Sequence, residues 1–179
     1  MNWKNIILST AILVSVMHIS AAQESDKNRL SPLAIISMRY KDAYVKITYS
    51  QPQKNGREIF GKLVPYGQVW RMGANEATEI TVTKNIQLNG SLLKAGTYAV
   101  FTIPEKEKWT IIINNDLGLW GAYNYNSKLD EIRFQVPVQS VSGEIQEQFT
   151  MQFDQRNEVA DLLILWDRVK VSIPFKFIN

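Results

Sequence analysis

Apolar and polar residues alternate along most of the chain with a period of two, the spacing that sends successive side chains to opposite faces of a strand. From Ala43 to Tyr49, Val45, Ile47 and Tyr49 fall on one face against Tyr44, Lys46 and Thr48. Glu79 to Lys84 repeats the pattern with Ile80 and Val82. Ile86 to Leu88 runs into Asn89-Gly90, a two-residue hairpin signal because both positions tolerate positive φ. Thr97 to Ile103 and Trp109 to Ile113 are denser apolar runs, which predict strands buried on both faces. Glu131 to Val138, Gln148 to Phe153, Asp161 to Trp166 and Val169 to Phe177 complete the set. Leu30 to Met38, whose apolar residues fit either period, reads as an irregular strand. Short strands separated by Gly, Pro, Asn and Asp predict an all-β fold, an antiparallel two-sheet β-sandwich of jelly-roll or immunoglobulin-like type. Leu93 to Tyr98 reads as a sandwich corner, in which the tyrosine returns its hydroxyl to nearby backbone and is structural.

The first 22 residues depart from this pattern. Lys4 precedes an apolar run from Ile6 to Met17, and Ser20-Ala21-Ala22 offers small residues at a cleavage site. That is the layout of a secretory signal helix, and the run is shorter than the roughly 20 residues of a bilayer-spanning helix. Cleavage after Ala22 is expected, with release into the periplasm or beyond and no stable membrane insertion afterwards. Residues 23–32 are polar and read as a flexible leader, and 33–179 as a single domain.

Composition narrows the chemistry. Loss of Lys4 leaves nineteen basic against seventeen acidic side chains, and the lysines are spread along the chain. Nucleic acid binding needs a clustered basic footprint, so no nucleic acid partner is expected. Cysteine is absent and the only histidine, His18, lies in the signal. Serine–histidine triads, cysteine–histidine pairs and zinc sites built on histidine or thiolate are therefore excluded from the mature chain, and no cofactor is expected.

Two segments are not patterned as strands. The first runs from Gly56 to Thr78, too long for an ordinary connection and too apolar for disorder, so it must pack on something. Its string G-R-E-I-F-G-K-L-V-P-Y-G-Q-V-W-R-M-G-A-N-E-A-T is followed by L-N-G-S-L-L-K-A-G-T-Y and later W-G-A-Y-N-Y. These strings resemble the uncharacterised bacterial family catalogued as domain of unknown function 2911, over roughly Leu33 to Asn179. The resemblance implies an exported protein of Bacteroidetes-type bacteria and assigns no activity. The second segment, Asn114 to Asp130, holds Trp120, Tyr123 and Tyr125 among four asparagines and two aspartates. Such a surface is flat, amphipathic and hydrogen-bonding, as carbohydrate- and peptide-binding faces are; the alternative is a loop whose aromatics cap the sandwich. Strand counting places the two segments at the same end if the Asn89-Gly90 hairpin and the Tyr98 corner make one net reversal. It places them at opposite ends if Ser91 to Leu93 is a full strand, and the corner reading favours the first.

Arg57 and Arg71 are the most suggestive charges, because guanidinium grips a carboxylate or phosphate at two points. Arg71 is expected to be partly buried, and an internal ion pair with Glu76 or Asp130 competes with ligand binding there. Asn75 and Thr78 are placed to orient either arrangement, and Glu58 reads as a solvated neighbour of Arg57. Three functions stay open. A binding module for a small polar, anionic or carbohydrate-like ligand would use Arg57, Arg71, Asn75, Glu76, Thr78, Trp120, Tyr123 and Tyr125. A structural or interaction domain of the cell envelope would use the same string as bracing. A carboxylate-dependent hydrolase would pair Glu76 with Asp130 as acid and base. Asn114, Asp116 and Asn126 match no EF-hand spacing, and no metal site is expected.

Overall fold

The computed structural model describes residues 29–178, and the signal helix and most of the leader lie outside the described residues. Ser31–Asn179 forms one compact unit. Its strands are β1 (Leu33–Tyr40), β2 (Ala43–Ser50), β3 (Thr78–Val82), β4 (Ile86–Leu88), β5 (Ser91–Leu93) and β6 (Gly96–Pro104). They continue with β7 (Lys108–Asn114), β8 (Asp130–Ser140), β9 (Gln146–Arg156), β10 (Val159–Asp167) and β11 (Val169–Phe177). No α-helix occurs among the described residues; Ser127–Leu129 is one turn of 3-10 helix.

These strands form one antiparallel sheet, ordered β1-β2-β3-β6-β7-β8-β11-β10-β9, that curls until it is nearly a closed barrel. The expected division into two separate sheets is replaced by this continuity. The device is β8, whose eleven residues pair with β7 from Asp130 to Pro137 and with β11 from Val138 to Ser140. A strand that changes partner midway carries the ladder around a corner instead of ending it. At the closing seam, the backbone after β2 reaches β9, with Lys54 N–H on the Glu147 carbonyl at 2.7 Å and Phe149 N–H on the Pro52 carbonyl at 2.9 Å. The buried Tyr49 hydroxyl accepts from Met151 N–H at 3.0 Å across the same seam, and burial pushes this phenol above its ordinary range. Closing a sheet removes the unpaired edges that invite aggregation.

The period-two alternation fills the barrel. Val45, Ile47 and Tyr49 of β2 meet Ile80 and Val82 of β3, Ile111 and Ile113 of β7, and Leu162 and Ile164 of β10 in one apolar cluster. Burying each such side chain contributes about 1.5–3 kcal/mol. The interior keeps a void of only about 10 Å³, lined by Ile47, Met72, Thr78, Val100 and Phe175 among others, at the threshold for a single water. That void is too small for a ligand.

Local signals in the sequence are realised. Asn89 and Gly90 both take positive φ, +47° and +81°, in the hairpin between β4 and β5. Tyr98 donates its hydroxyl to the Lys94 carbonyl at 3.1 Å, the expected corner. Leu33–Tyr40 is a regular strand paired with β2 along its whole length, where an irregular one was expected.

Candidate functional site

The segment between β2 and β3 is a plug. Ile59, Val64, Trp70 and Met72 turn into the barrel cluster. Trp70 stacks on Trp166 with centroids 5.9 Å apart and meets Trp109 and Phe149 edge-on. Its backbone exchanges two hydrogen bonds with Thr102, at 2.7 and 2.9 Å, continuing the sheet beside β6 where β3 has not yet begun. Its indole N–H donates to the Gly73 carbonyl at 3.0 Å. The chain then turns sharply. Met72 is fully buried at φ +54° and Asn75 lies at φ +57°, and the left-handed region is costly for a bulky residue such as methionine. A Cβ on Gly73 would approach the Ser50 carbonyl to 2.9 Å, so only glycine fits that position. Thr78, fully buried, donates its hydroxyl to the Met72 carbonyl at 2.7 Å and closes the turn.

The second segment folds back over the outer face of the same strands. Ala77, Ala99, Phe101 and Ile112 form a second buried cluster outside the barrel, covered by Val69, Leu119, Ala122 and Tyr125 among others. This layer is why β6 and β7 are apolar on both faces. The two segments meet directly: Ala77 N–H donates to the Leu119 carbonyl at 2.9 Å and Gly121 N–H to the Asn75 carbonyl at 3.0 Å. The two segments were expected at one end, but the strand count behind that expectation does not hold. β5 is a full strand, and β3 and β7 run in the same direction because both lie antiparallel to β6, so counting puts the segments at opposite ends. Register brings them together instead. Asn114, the last residue of β7, is level with Ala99 and through it with Glu79, so β7 leaves the sheet where β3 enters it.

The junction exposes a group of nominated residues. Glu76 and Trp120 are opposite one another in the bridge. The flanking bonds make this the non-hydrogen-bonded kind of pair, in which the two side chains stand close on one face. Trp120 is 60% exposed and Tyr123 is 86% exposed. Gly121, at φ +73°, lies under the Tyr123 ring, where a Cβ would meet it at 2.7 Å. Asn75 donates to the Ser31 carbonyl at 3.3 Å and so anchors the turn.

Arg71 lies between two residues of the barrel cluster, Trp70 and Met72, and is itself only partly buried. The alternative of an internal ion pair with Glu76 or Asp130 is not made: no carboxylate among the described residues bridges to it. Its Nε is buried with no hydrogen-bond partner. Desolvation lowers the pKa of this guanidinium, opposed by the Tyr123 phenol nearby, and arginine stays charged at any ordinary pH.

Asp130 has the opposite surroundings. Asn114 Nδ2 donates to its Oδ1 at 2.7 Å, and the Tyr125 hydroxyl reaches both oxygens at 2.9 and 2.7 Å. Arg133 Nε pairs with Oδ2 and its Nη2 donates to the Tyr125 hydroxyl. Burial first, then the Asp130 hydrogen bond, push the Tyr125 phenol up to about 12. Asn114 Oδ1 accepts from Asp116 N–H at 2.8 Å, so this amide is engaged internally and not turned toward an ion. The described residues gather no cluster of three acidic or metal-ligating side chains. Arg57 stands apart, exposed, with Nε on the Lys54 carbonyl at 2.9 Å and Nη2 on the Gln53 carbonyl. Of the nominated residues, then, Asn75, Glu76 and Trp120 meet at the bridge, Arg71 lies near Tyr123, Thr78, Tyr125 and Asp130 brace, and Arg57 holds a separate turn. Arg133 and Asn114 complete the brace. Neither was nominated for it, because no strand periodicity links an asparagine ending β7 to an arginine within β8.

No curated relative and no solved structure matches the chain. Residues 31–175 match the model of the family described as "Protein of unknown function (DUF2911)", and the chain, with its plugged barrel and bridged loops, belongs to that family.

Proposed function

We propose that this protein is an exported domain that binds a small anionic ligand on the outer surface formed by Arg71, Trp120 and Tyr123. The observation that carries the reading is the buried, unpartnered Nε of Arg71 near the exposed Tyr123. Leaving a buried donor unsatisfied costs about 1–3 kcal/mol, and more when the group is charged. A sequence that keeps arginine in such a place gives up stability, as binding sites commonly do. An anion arriving on the guanidinium fork would supply the missing acceptor. Asp130, held by three side chains, acts as a brace in this reading and not as half of a hydrolytic pair.

The test is thermal unfolding across a panel of organic and inorganic anions, since a ligand that binds only the native state raises the melting temperature with concentration. At least one anion is expected to raise it, and Arg71→Met is expected to remove that response while folding normally. If Arg71→Met fails to fold, the guanidinium is a brace and the reading is wrong. Export has its own check: the mature protein is expected to begin at Gln23, read by intact mass.

Membership of the cell envelope as an interaction domain draws on a different observation. Leu33 and Ile35, 55% and 61% exposed, are side by side on the outer face of the edge strand β1. Ile35→Glu should abolish any self-association seen by sedimentation if that face is an interface.

A further inference from the structure

The outer face of the barrel is not uniform. The second segment covers β6 and β7, and β8 turns the exposed Glu131 and Arg133 to solvent. Beside the closing seam the outward positions are apolar or uncharged. Leu33 and Ile35 of β1 are 55% and 61% exposed, and Leu163 and Leu165 of β10 stand outside both buried clusters. Between them, β9 turns out Gln152 and Thr150, opposite Leu163 and Leu165. Leu33 pairs with Ser50 and Gln53 with Gln148, which sets β1 level with this stretch of β9. Gln155 Nε2 donates to the Arg39 carbonyl at 3.0 Å and ties β1 to β9. A solvent-facing strand ordinarily turns polar residues outward, whereas a contiguous apolar face marks an interaction surface.

Charge returns at the two ends of this face. Asp161 lies opposite Asp154, and Arg156 bridges both, at 2.6 and 3.7 Å, so this end of β9 and β10 keeps one net negative charge. At the other end Lys170 of β11 lies opposite Leu165. An uncharged centre selects no partner of opposite charge, and it can face its own copy without repulsion. A two-fold axis across the strands, at the level of Gln152 and Leu163, would lay the acidic end of each copy over Lys170 of the other. The exposed Gln152 amide, donor and acceptor at once, would meet its counterpart near that axis. On this self-complementarity we infer that the β1–β9–β10 face is the contact of a homodimer, two barrels packed sheet on sheet. The inference rests on the reading of Leu33 and Ile35 as an interface, names the partner as a second copy, and is independent of the anion site. Four strands by five residues measure roughly 19 Å by 17 Å at the usual spacings. That is well under the about 800 Å² per partner of a tight complex, so the dimer should be weak, with Kd on the order of 100 μM.

The experiment is sedimentation equilibrium of the full chain, as the cell processes it, from about 10 μM to about 1 mM. The weight-average mass is expected to rise toward twice that of the monomer. Gln152→Lys sets like charges against each other near the axis and is expected to weaken association at least tenfold with an unchanged melting temperature. Lys170→Glu and Asp154→Lys are each expected to weaken it at least threefold. Combined in one chain, the two are expected to restore it, because the exchanged ends still oppose each other. If Ile35→Glu dissociates the dimer and Gln152→Lys does not, the edge-strand reading stands and the face assigned to the dimer is wrong. If the double charge variant associates no better than either single one, the arrangement about the axis is overturned. A chain that stays monomeric at about 1 mM sinks both readings.

Discussion

Arg71 and Asp130 belong to the same layer of loops outside the barrel, and their surroundings are opposite. Asp130, with only a tenth of its side chain exposed, takes hydrogen bonds from Asn114, Tyr125 and Arg133. Arg71 is partly buried and has a buried nitrogen with no partner. A charge taken out of water must be repaid in hydrogen bonds, or the fold bears the penalty. The difference teaches that the completed network holds the second loop against β6 and β7, while the incomplete one leaves a buried donor unsatisfied within the fold.

Substitutions can break or sharpen this contrast. The largest effect is expected at Asp130→Ala, which takes away one of the two acceptors of the buried Asn114 amide and the acceptor of the Tyr125 hydroxyl and leaves Arg133 without its carboxylate. Chemical denaturation should register a loss of about 3 kcal/mol, at the lower end for a broken buried pair because Arg133 keeps access to water. A loss below about 1 kcal/mol, the usual worth of an exposed pair, would mean that the cluster does not brace the loop. Tyr125→Phe removes one member and should lose about 1–2 kcal/mol, the range of a hydrogen bond to a charged group.

The same phenol predicts an alkaline limit. Its folded pKa of about 12 lies above the ordinary 10, so the folded state holds this proton more tightly than the unfolded chain does. The corresponding stability is complete below about pH 10 and is lost as pH rises toward 12. Tyr49 and Tyr98 are shifted upward as well, both chiefly by burial, and act in the same direction. Melting temperatures across that interval should fall, and fall less steeply in Tyr125→Phe.

Smallest and opposite in sign is Arg71→Met. Removing a donor that has no acceptor, while keeping the apolar stem, should leave stability unchanged or raise it by up to about 1 kcal/mol. Trp120→Ala, on an exposed ring, should stay within about 0.5 kcal/mol of the parent. A clear destabilisation by either would erase the contrast with Asp130.

Much of this architecture is legible in the chain. Alternation marks Val45, Ile47 and Tyr49 as inward, Asn89-Gly90 as a turn and Tyr98 as a corner, because each is a local consequence of side-chain direction or of allowed φ. The dense runs in β6 and β7 announce burial on both faces before anything shows what covers the outer one. Periodicity records which residues are buried but not which strand is the neighbour, so the sharing of β8 between two partners and the near-closure of the sheet do not appear in it.

The site divides along the same line. Composition alone removed cysteine chemistry and left His18 as the one histidine, and the aromatic content of two long segments marked them as more than connections. Whether those segments meet depended on a register between β3 and β7, which are not sequence neighbours, and counting reversals could not supply it. Whether Arg71 is a brace or a free cation depended on where Asp130 found its partners, across an asparagine that ends β7 and an arginine within β8. Residue type determines the chemistry that a side chain can offer. Only tertiary contacts decide whether that capacity is satisfied within the fold or left facing outward, because hydrogen bonds and charges are settled between groups far apart in sequence.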